Sequence, residues 1–184
     1  MKKVYIGGPL FTEAEVSQRL KEGNQLEELG YDVYNPIAND DINDKNDNPT
    51  AEDIFTQDVS EILTSDIVTA PIDNEDPGLM MELGLVLAGN LFMDAFKHMK
   101  KDLDDEAIKT IEKYLPFQSI EVLSIASDIR KETAGNYEGV RVPKGYNQFV
   151  IGGLDCMGRG RVYDSFAKIK DILTKRMEDT SEQG

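Results

Sequence analysis

Short apolar runs alternate with longer amphipathic segments through the first half of the chain, the signature of a parallel sheet covered by helices. Val4-Tyr5-Ile6 predicts a first strand, broken by Gly7-Gly8-Pro9. Thr12 followed three positions on by Glu15 is a capping-box pattern and predicts a helix that runs to Leu29 and stops at Gly30. Tyr31 to Asn35 predicts the second strand. Thr50 can cap a helix over Ala51 to Thr64, and Asp66 to Ile72 predicts the third strand. Asp76 and Pro77 are the residue types favoured at an N-cap and first helical position, so a helix is expected from Pro77 to about Ala88 or Gly89. An amphipathic helix is expected over Asp102 to Tyr114 and a fourth strand over Ile120 to Ile125. The closing helix is expected over Val162 to Met177, with Glu178 to Gly184 frayed.

The remaining stretches carry weaker periodicity. Asn39 to Asn48 is almost wholly Asp, Asn and Lys, which cannot bury itself and reads as a solvated loop. Twelve residues counted from Asp41 end on Glu52, as in a calcium loop, but Asn46 stands where glycine is needed and Pro49 interrupts the ligand positions, so calcium is not expected. Arg130 to Gly145 is polar with three glycines and reads as a long loop or lid. Asn147 to Leu154 is apolar, and its length does not decide between strand and helix.

Composition narrows the class. A chain of 184 residues, 40% hydrophobic, fits one domain spanning 1–184. A formal charge of −15 excludes a nucleic-acid partner held by phosphate neutralisation. The single cysteine, Cys156, excludes an intrachain disulfide and suits a reducing cytoplasm; with His98 the only histidine, no metal or cofactor ligand set is expected. No segment reads as a signal peptide or as the ~20 apolar residues of a membrane span.

Candidate chemistry rests on acids in the wrong surroundings. Glu82 is the only charge within Leu79 to Ala88, and its helical neighbours Gly78, Leu79, Leu85, Val86 and Gly89 are all non-polar. The bland reading is a solvent-facing stripe. A carboxylate among apolar side chains is costly to desolvate, however, and needs a partner or a purpose. Asp58 falls within the apolar arc of Ile54, Phe55, Val59, Ile62 and Leu63; the alternative there is a buried cap or ion pair. Capping alone explains Asp76, yet it sits between a strand's carboxyl end and a helix start, where ligands bind in open α/β sheets. Tyr5, Gly7 and Gly8 end the first strand beside the same crevice. No Lys or Arg adjoins these residues, so a neutral sugar fits better than a polyphosphate. Carboxylates flanking a sugar are the usual means of breaking a glycosidic bond.

With these residues in view the sequence resembles the nucleoside 2-deoxyribosyltransferases. The likeness is carried by Tyr5-Ile6-Gly7-Gly8-Pro9-Leu10-Phe11, by Asp58 to Asp66, by Asp76-Pro77-Gly78-Leu79-Met80-Met81-Glu82-Leu83-Gly84, and by Asn147-Gln148-Phe149. The Asp-x-Gly-x-x-x-Glu-Leu-Gly pattern is the most specific. The resemblance implies a Rossmann-like or flavodoxin-like α/β fold, a parallel sheet of about five strands with helices on both faces, here with an inserted helical segment at about 94–116. It implies that Glu82 attacks C1′ of a deoxynucleoside, expels the base and holds the deoxyribosyl group as an ester until a second base takes it. Tyr5 would orient Glu82. Asp58 and Asp76 would serve the base and its proton or a sugar hydroxyl, with Gly7, Gly8, Phe11, Gly78 and Phe149 lining the substrate.

Asn147 would reach the 5′-hydroxyl from a neighbouring subunit, which implies a homodimer or larger homo-oligomer. Related hydrolases of deoxynucleoside monophosphates tend to carry serine there, so Asn147 leans towards a nucleoside, although Arg141, Lys144, Arg159 and Arg161 could meet a phosphate. The partners expected are thus a deoxynucleoside and a free nucleobase, with no nucleic acid and no membrane. Two alternatives stay open: an N-glycoside hydrolase using water, and a non-catalytic sensor of a nucleotide-derived ligand. His98 reads as a surface residue, and Cys156 lacks a histidine base to make it a nucleophile.

Overall fold

Hydrophobic alternation sets the first strand. In the computed structural model, which describes residues 1–39, 49–115, 118–129, 135–137, 140–142, 145–156 and 160–181, β1 (Lys3–Ile6) sends Val4 and Ile6 to one face and Tyr5 to the other. Helix α1 (Glu13–Glu27) starts at the expected capping box: Thr12 Oγ1 accepts from Glu15 N at 3.2 Å, and the Glu15 carboxylate accepts from Thr12 N at 2.9 Å. Gly30, at φ +87°, takes the left-handed conformation that turns the chain into β2 (Asp32–Tyr34). Thr50 and Asp53 form a second capping box at α2 (Ala51–Leu63), which leads to β3 (Ile67–Pro71).

Asp76 caps α3 (Pro77–Met99) by accepting from Leu79 N at 2.8 Å. The stop expected near Gly89 is absent, and α3 runs ten residues further. Asn90 gives the reason: its buried side chain donates to the Ile120 carbonyl at 2.8 Å and accepts from Ile120 N at 2.9 Å, so it is pinned to the sheet instead of ending the helix. The longer helix corrects a second expectation, since Pro77–Asp102 is long and apolar enough to cross a membrane by length and composition. Its stripe of Leu79, Leu83, Val86 and Asn90 is buried, and the three apolar members pack into the core.

The segment expected as an inserted helical piece therefore begins inside α3, and continues through a 3-10 turn (Lys100–Asp102) to α4 (Asp105–Tyr114), capped by Asp104. Strand β4 (Glu121–Ile125) follows. Part of the expected loop pairs as an antiparallel ladder of β5 (Gly135–Tyr137) and β6 (Val140–Val142). The undecided stretch is helical, α5 (Gln148–Cys156). Val162, expected in the closing helix, belongs instead to β7 (Gly160–Tyr163); α6 starts later and lasts longer (Phe166–Ser181), through residues expected to fray. The acidic loop beyond Asn39, to Asn48, lies outside the described residues.

Five strands form one parallel sheet in the order β2-β1-β3-β4-β7, as the α/β reading requires. One face carries α2, α3 and α5 over Tyr5, Ile62, Val68, Leu79, Leu83 and Leu154; the other carries α1 and α6 over Val4, Ile6, Leu26, Leu123 and Leu173. Each such side chain removed from water contributes about 1.5–3 kcal/mol, so both faces are held by burial. The chain leaves β1 towards one face and β3 towards the other. Those neighbouring strands therefore splay their loops apart at the carboxyl edge, which is where an open α/β sheet forms its crevice.

Candidate active site

Tyr5 is fully buried and stands on the α2 and α3 face. Its hydroxyl donates to Glu82 Oε1 at 3.0 Å. Glu82 reaches it from the first turns of α3, at the edge of the stripe that buries Leu79 and Leu83. The second carboxylate oxygen, Oε2, is buried with no hydrogen-bond partner. A methyl group at Gly7 would fall 3.4 Å from that oxygen and 2.7 Å from Leu79 Cδ1, so only glycine fits beside Oε2. Burial pushes the Glu82 pKa up to about 7; the Tyr5 hydrogen bond opposes the rise, and the charges of Asp58 and Asp76 add to it. Burial, followed by the charges of Glu82 and Asp58, raises the Tyr5 phenol well above its ordinary value, so it donates to the carboxylate without ionising.

Asp58 enters from α2, half-buried. The apolar arc around it is buried at Ile62, while Ile54 and Phe55 are exposed, so the arc is core only at the helix end. Asp58 Oδ1 accepts from the Tyr34 hydroxyl at 3.3 Å, and that hydroxyl accepts from Asn39 Nδ2 at 3.0 Å. Burial is the main cause that raises the Asp58 pKa. Tyr34 also stacks on Tyr5, ring centroids 5.6 Å apart at 16°. Sequence reading passed over Tyr34 and Asn39. The signal was the parallel register that sets Tyr34 beside Tyr5, since paired residues on adjacent strands share a face.

Asp76 spends Oδ1 on the α3 cap, and its charge is near enough to bear on Glu82. Gly78, in the first turn, is exposed. Just before them Glu75 holds a left-handed φ of +48°, uncommon for a residue with a side chain. Its carboxylate accepts from Asn147 N at 3.1 Å, which ties the α3 start to the α5 start. Asn147 Oδ1 accepts from Phe149 N at 2.9 Å, a local cap of α5. Asp73 gathers Ser127 N, Ser127 Oγ, Asp128 N and the Tyr146 hydroxyl within 3.0 Å.

The structure thus brings together Tyr5, Gly7, Asp58, Asp76 and Glu82. Gly8 lies behind them at φ +144°, where glycine alone is relaxed. Phe11 and Phe149 stand apart in solvent, 83% and 90% exposed, and Asn147 is exposed as well. His98 is exposed, its Nδ1 paired with the Asp94 carbonyl, and Arg161 is exposed on β7. Lys144 and Arg159 fall outside the described residues, as do the side chains of Arg141 and Cys156. Among the described residues no group of three or more His, Cys, Asp or Glu is placed to hold a metal ion.

An uncharacterized protein of Ureaplasma parvum, UU063, is 32% identical over 110 residues, which is 55% of this chain; the chain spans 65% of that relative's length. The crystal structure of a conserved protein from Enterococcus faecalis V583 has the same fold, with a TM-score of 0.65 over 96% of this chain and 99% of its own at 23% identity. The 2-deoxyribosyltransferase of Bacillus psychrosaccharolyticus superposes over 91% of this chain and 90% of its own with a TM-score of 0.48 and 15% identity. The family model described as nucleoside 2-deoxyribosyltransferase matches residues 4–150, a span that holds every residue gathered around Glu82, and the chain accordingly belongs to the nucleoside 2-deoxyribosyltransferase family.

Proposed function

We propose that the protein moves a 2-deoxyribosyl group between nucleobases by double displacement, with Glu82 as the nucleophile. One observation carries the reading: a buried carboxylate is held by a phenol at one oxygen and has nothing at the other, which faces the side-chain-free backbone of Gly7. In the first half-reaction Glu82 Oε2 bonds to C1′ as the C1′–N bond breaks. The electron pair leaves with the base nitrogen, which takes a proton from Asp58, the acid whose pKa burial raises. A second base then attacks C1′, returns the electron pair to the Glu82 carboxylate and gives its proton to Asp58. Tyr5 holds Oε1 so that Oε2 points at the sugar, and Asp76 serves a sugar hydroxyl beside the α3 cap. Gly8, Phe11, Gly78 and Phe149 are assigned to the substrate surround.

A pairing with a second copy of the chain belongs to this proposal. Met81, Leu91, Phe92 and Met99 leave α3 with an exposed apolar stripe, a feature monomers seldom carry over such a length. Asn147 and Phe149, exposed at the α5 start, would cross such an interface. Light scattering at graded concentrations should give a dimer or larger. A cytoplasmic setting fits the single cysteine.

The test is incubation of a deoxynucleoside with and without a second free base. The transferase reading expects a new nucleoside and base loss that depends on the acceptor. Base loss indifferent to the acceptor, with no new nucleoside, would mark a hydrolase, and no base loss at all a binding protein. The covalent step should also follow the Glu82 carboxyl: its rate should climb about tenfold per pH unit below 7, because only the ionised form attacks, and fall again at higher pH as Asp58 loses the proton it has to donate. A profile flat from pH 5 to 8 would remove Glu82 from the role.

A further inference from the structure

On the face of the sheet opposite Glu82, α1 buries two charged side chains one turn apart. Arg19 is 6% exposed and Glu22 1%. Arg19 Nη2 donates to Glu22 Oε1 at 2.8 Å, and Gln18 Nε2 donates to the same oxygen at 2.8 Å. Burial works against both ions, lowering the Arg19 pKa and raising that of Glu22. Arg19 Nε and Glu22 Oε2 are left without partners. Such a pair is weak as a stabilising device, because the cost of desolvation offsets the attraction.

The direction of the guanidinium supplies the reason for it. Nη1 makes a long hydrogen bond to the Gly7 carbonyl, 3.5 Å. A methyl group built on Gly8 would fall 2.7 Å from Nη1 and 3.1 Å from Arg19 Cδ, so the side chain lies flat against the turn. Behind the turn is a cavity of about 410 Å³, lined by Pro9, Arg19, Glu22, Pro71 and Asn74 among others. In front, Gly7 is fixed to β3 by its amide, which donates to the Thr69 carbonyl at 2.9 Å, and faces Glu82 Oε2. The Arg19 guanidinium thus stands between an open cleft, which it lines, and the Gly7-Gly8 turn, whose Gly7 lies beside the candidate nucleophile.

We propose that Arg19, locked by Glu22, is a positioning residue that braces the Gly7-Gly8 turn from behind, so that the sugar meets Glu82 in a space of fixed width. This rests on the assignment of Glu82 as nucleophile. Without the brace the turn relaxes towards the cavity and water reaches Oε2. The groups that face Glu82 are Tyr5 on β1, Asp58 on α2 and Asp76 at the α3 start, and none of them is altered by a change at Arg19.

The experiment is carbon-13 titration of the Glu82 carboxyl, assigned by its loss in Glu82→Gln, in the wild type and in the double variant Arg19→Met/Glu22→Met. Removing both charges leaves neither uncompensated. The midpoint should fall from about 7 by about one pH unit as the carboxylate rehydrates. The rate of adduct formation should drop about 10- to 100-fold through kcat more than KM. A folded double variant with both the midpoint and the rate unchanged would reduce the pair to a structural one and overturn the proposal. Should the double variant fail to fold, Arg19→Lys replaces it: an ammonium can hold Glu22 or the Gly7 carbonyl but lacks the fork for both, so the same shift is expected and its absence is equally fatal. The titration needs no substrate. A lowered midpoint in a protein that forms no adduct would therefore keep the brace and sink only the transferase reading.

Discussion

Two glutamates sit on opposite sides of β1, Glu22 buried and Glu82 half-buried, and their surroundings differ in kind. Glu22 faces a guanidinium and a glutamine amide that both serve Oε1. Glu82 has one phenol, two neighbouring acids and glycine backbone. Each keeps one oxygen unpartnered, but only Glu82 lacks a counter-charge, and its free oxygen lies beside the bare backbone of Gly7 at the end of β1. Burial alone therefore does not mark an acid for chemistry. What distinguishes Glu82 is that its negative charge is disfavoured by everything near it except one hydrogen bond, which leaves it ready to be neutralised by forming an ester.

Substitutions can break that contrast. The largest effect is expected from Glu82→Gln, which keeps the shape and removes the nucleophile. Adduct formation, read by intact-protein mass after quenching with a deoxynucleoside, should fall at least roughly 10³-fold, and an adduct of normal yield would refute the assignment. The same variant should gain stability over wild type at high pH. The Glu82 carboxyl, with its folded value raised to about 7 from 4.5, favours the folded state fully below 4.5 and loses that contribution as pH rises through 7. The gain above pH 8 should reach up to about 3 kcal/mol in denaturant titration.

On the other side of β1, Glu22→Gln strands a buried cation. A loss of about 3 kcal/mol, near a hundredfold in the folding equilibrium, is expected from urea midpoints. Tyr5→Phe sharpens the comparison from within the site. It deletes the bond that opposes the rise in the Glu82 pKa, so the acid limb of the rate profile should move above 7 and the rate at pH 7 should drop about tenfold. A limb that stays in place would mean that Tyr5 does not govern the carboxylate. Tyr34→Phe should act least, lowering turnover about threefold by freeing Asp58, with little change in KM for the sugar.

Much of this was legible in the sequence because it is written locally. The capping box at Thr12, the cap at Thr50, the Asp76-Pro77 start of α3 and the isolation of Glu82 depend on residues within one or two turns, and each was found. What escaped depends on distant partners. Gly160-Arg161-Val162-Tyr163 carries no apolar run, so β7 is defined only by pairing with β4. Tyr34 gains its importance from the strand register with Tyr5, and Asn90 from Ile120 thirty residues on. Arg19 and Glu22 carry no signal of their own, since nothing nearby in sequence announces that α1 turns them inward.

The carboxylate of Asp73 has a mechanical consequence. It joins the loop after β3, the exit of β4 and the approach to α5, and although burial raises its pKa, the four bonds it accepts hold it below the usual carboxylate value. Its share of the stability is in place above the ordinary value of 3.8 and is surrendered only as acid titrates it below that. Three segments of the rim are thereby riveted into a single plate. A bulky guest that asks one of them to yield must shift all three.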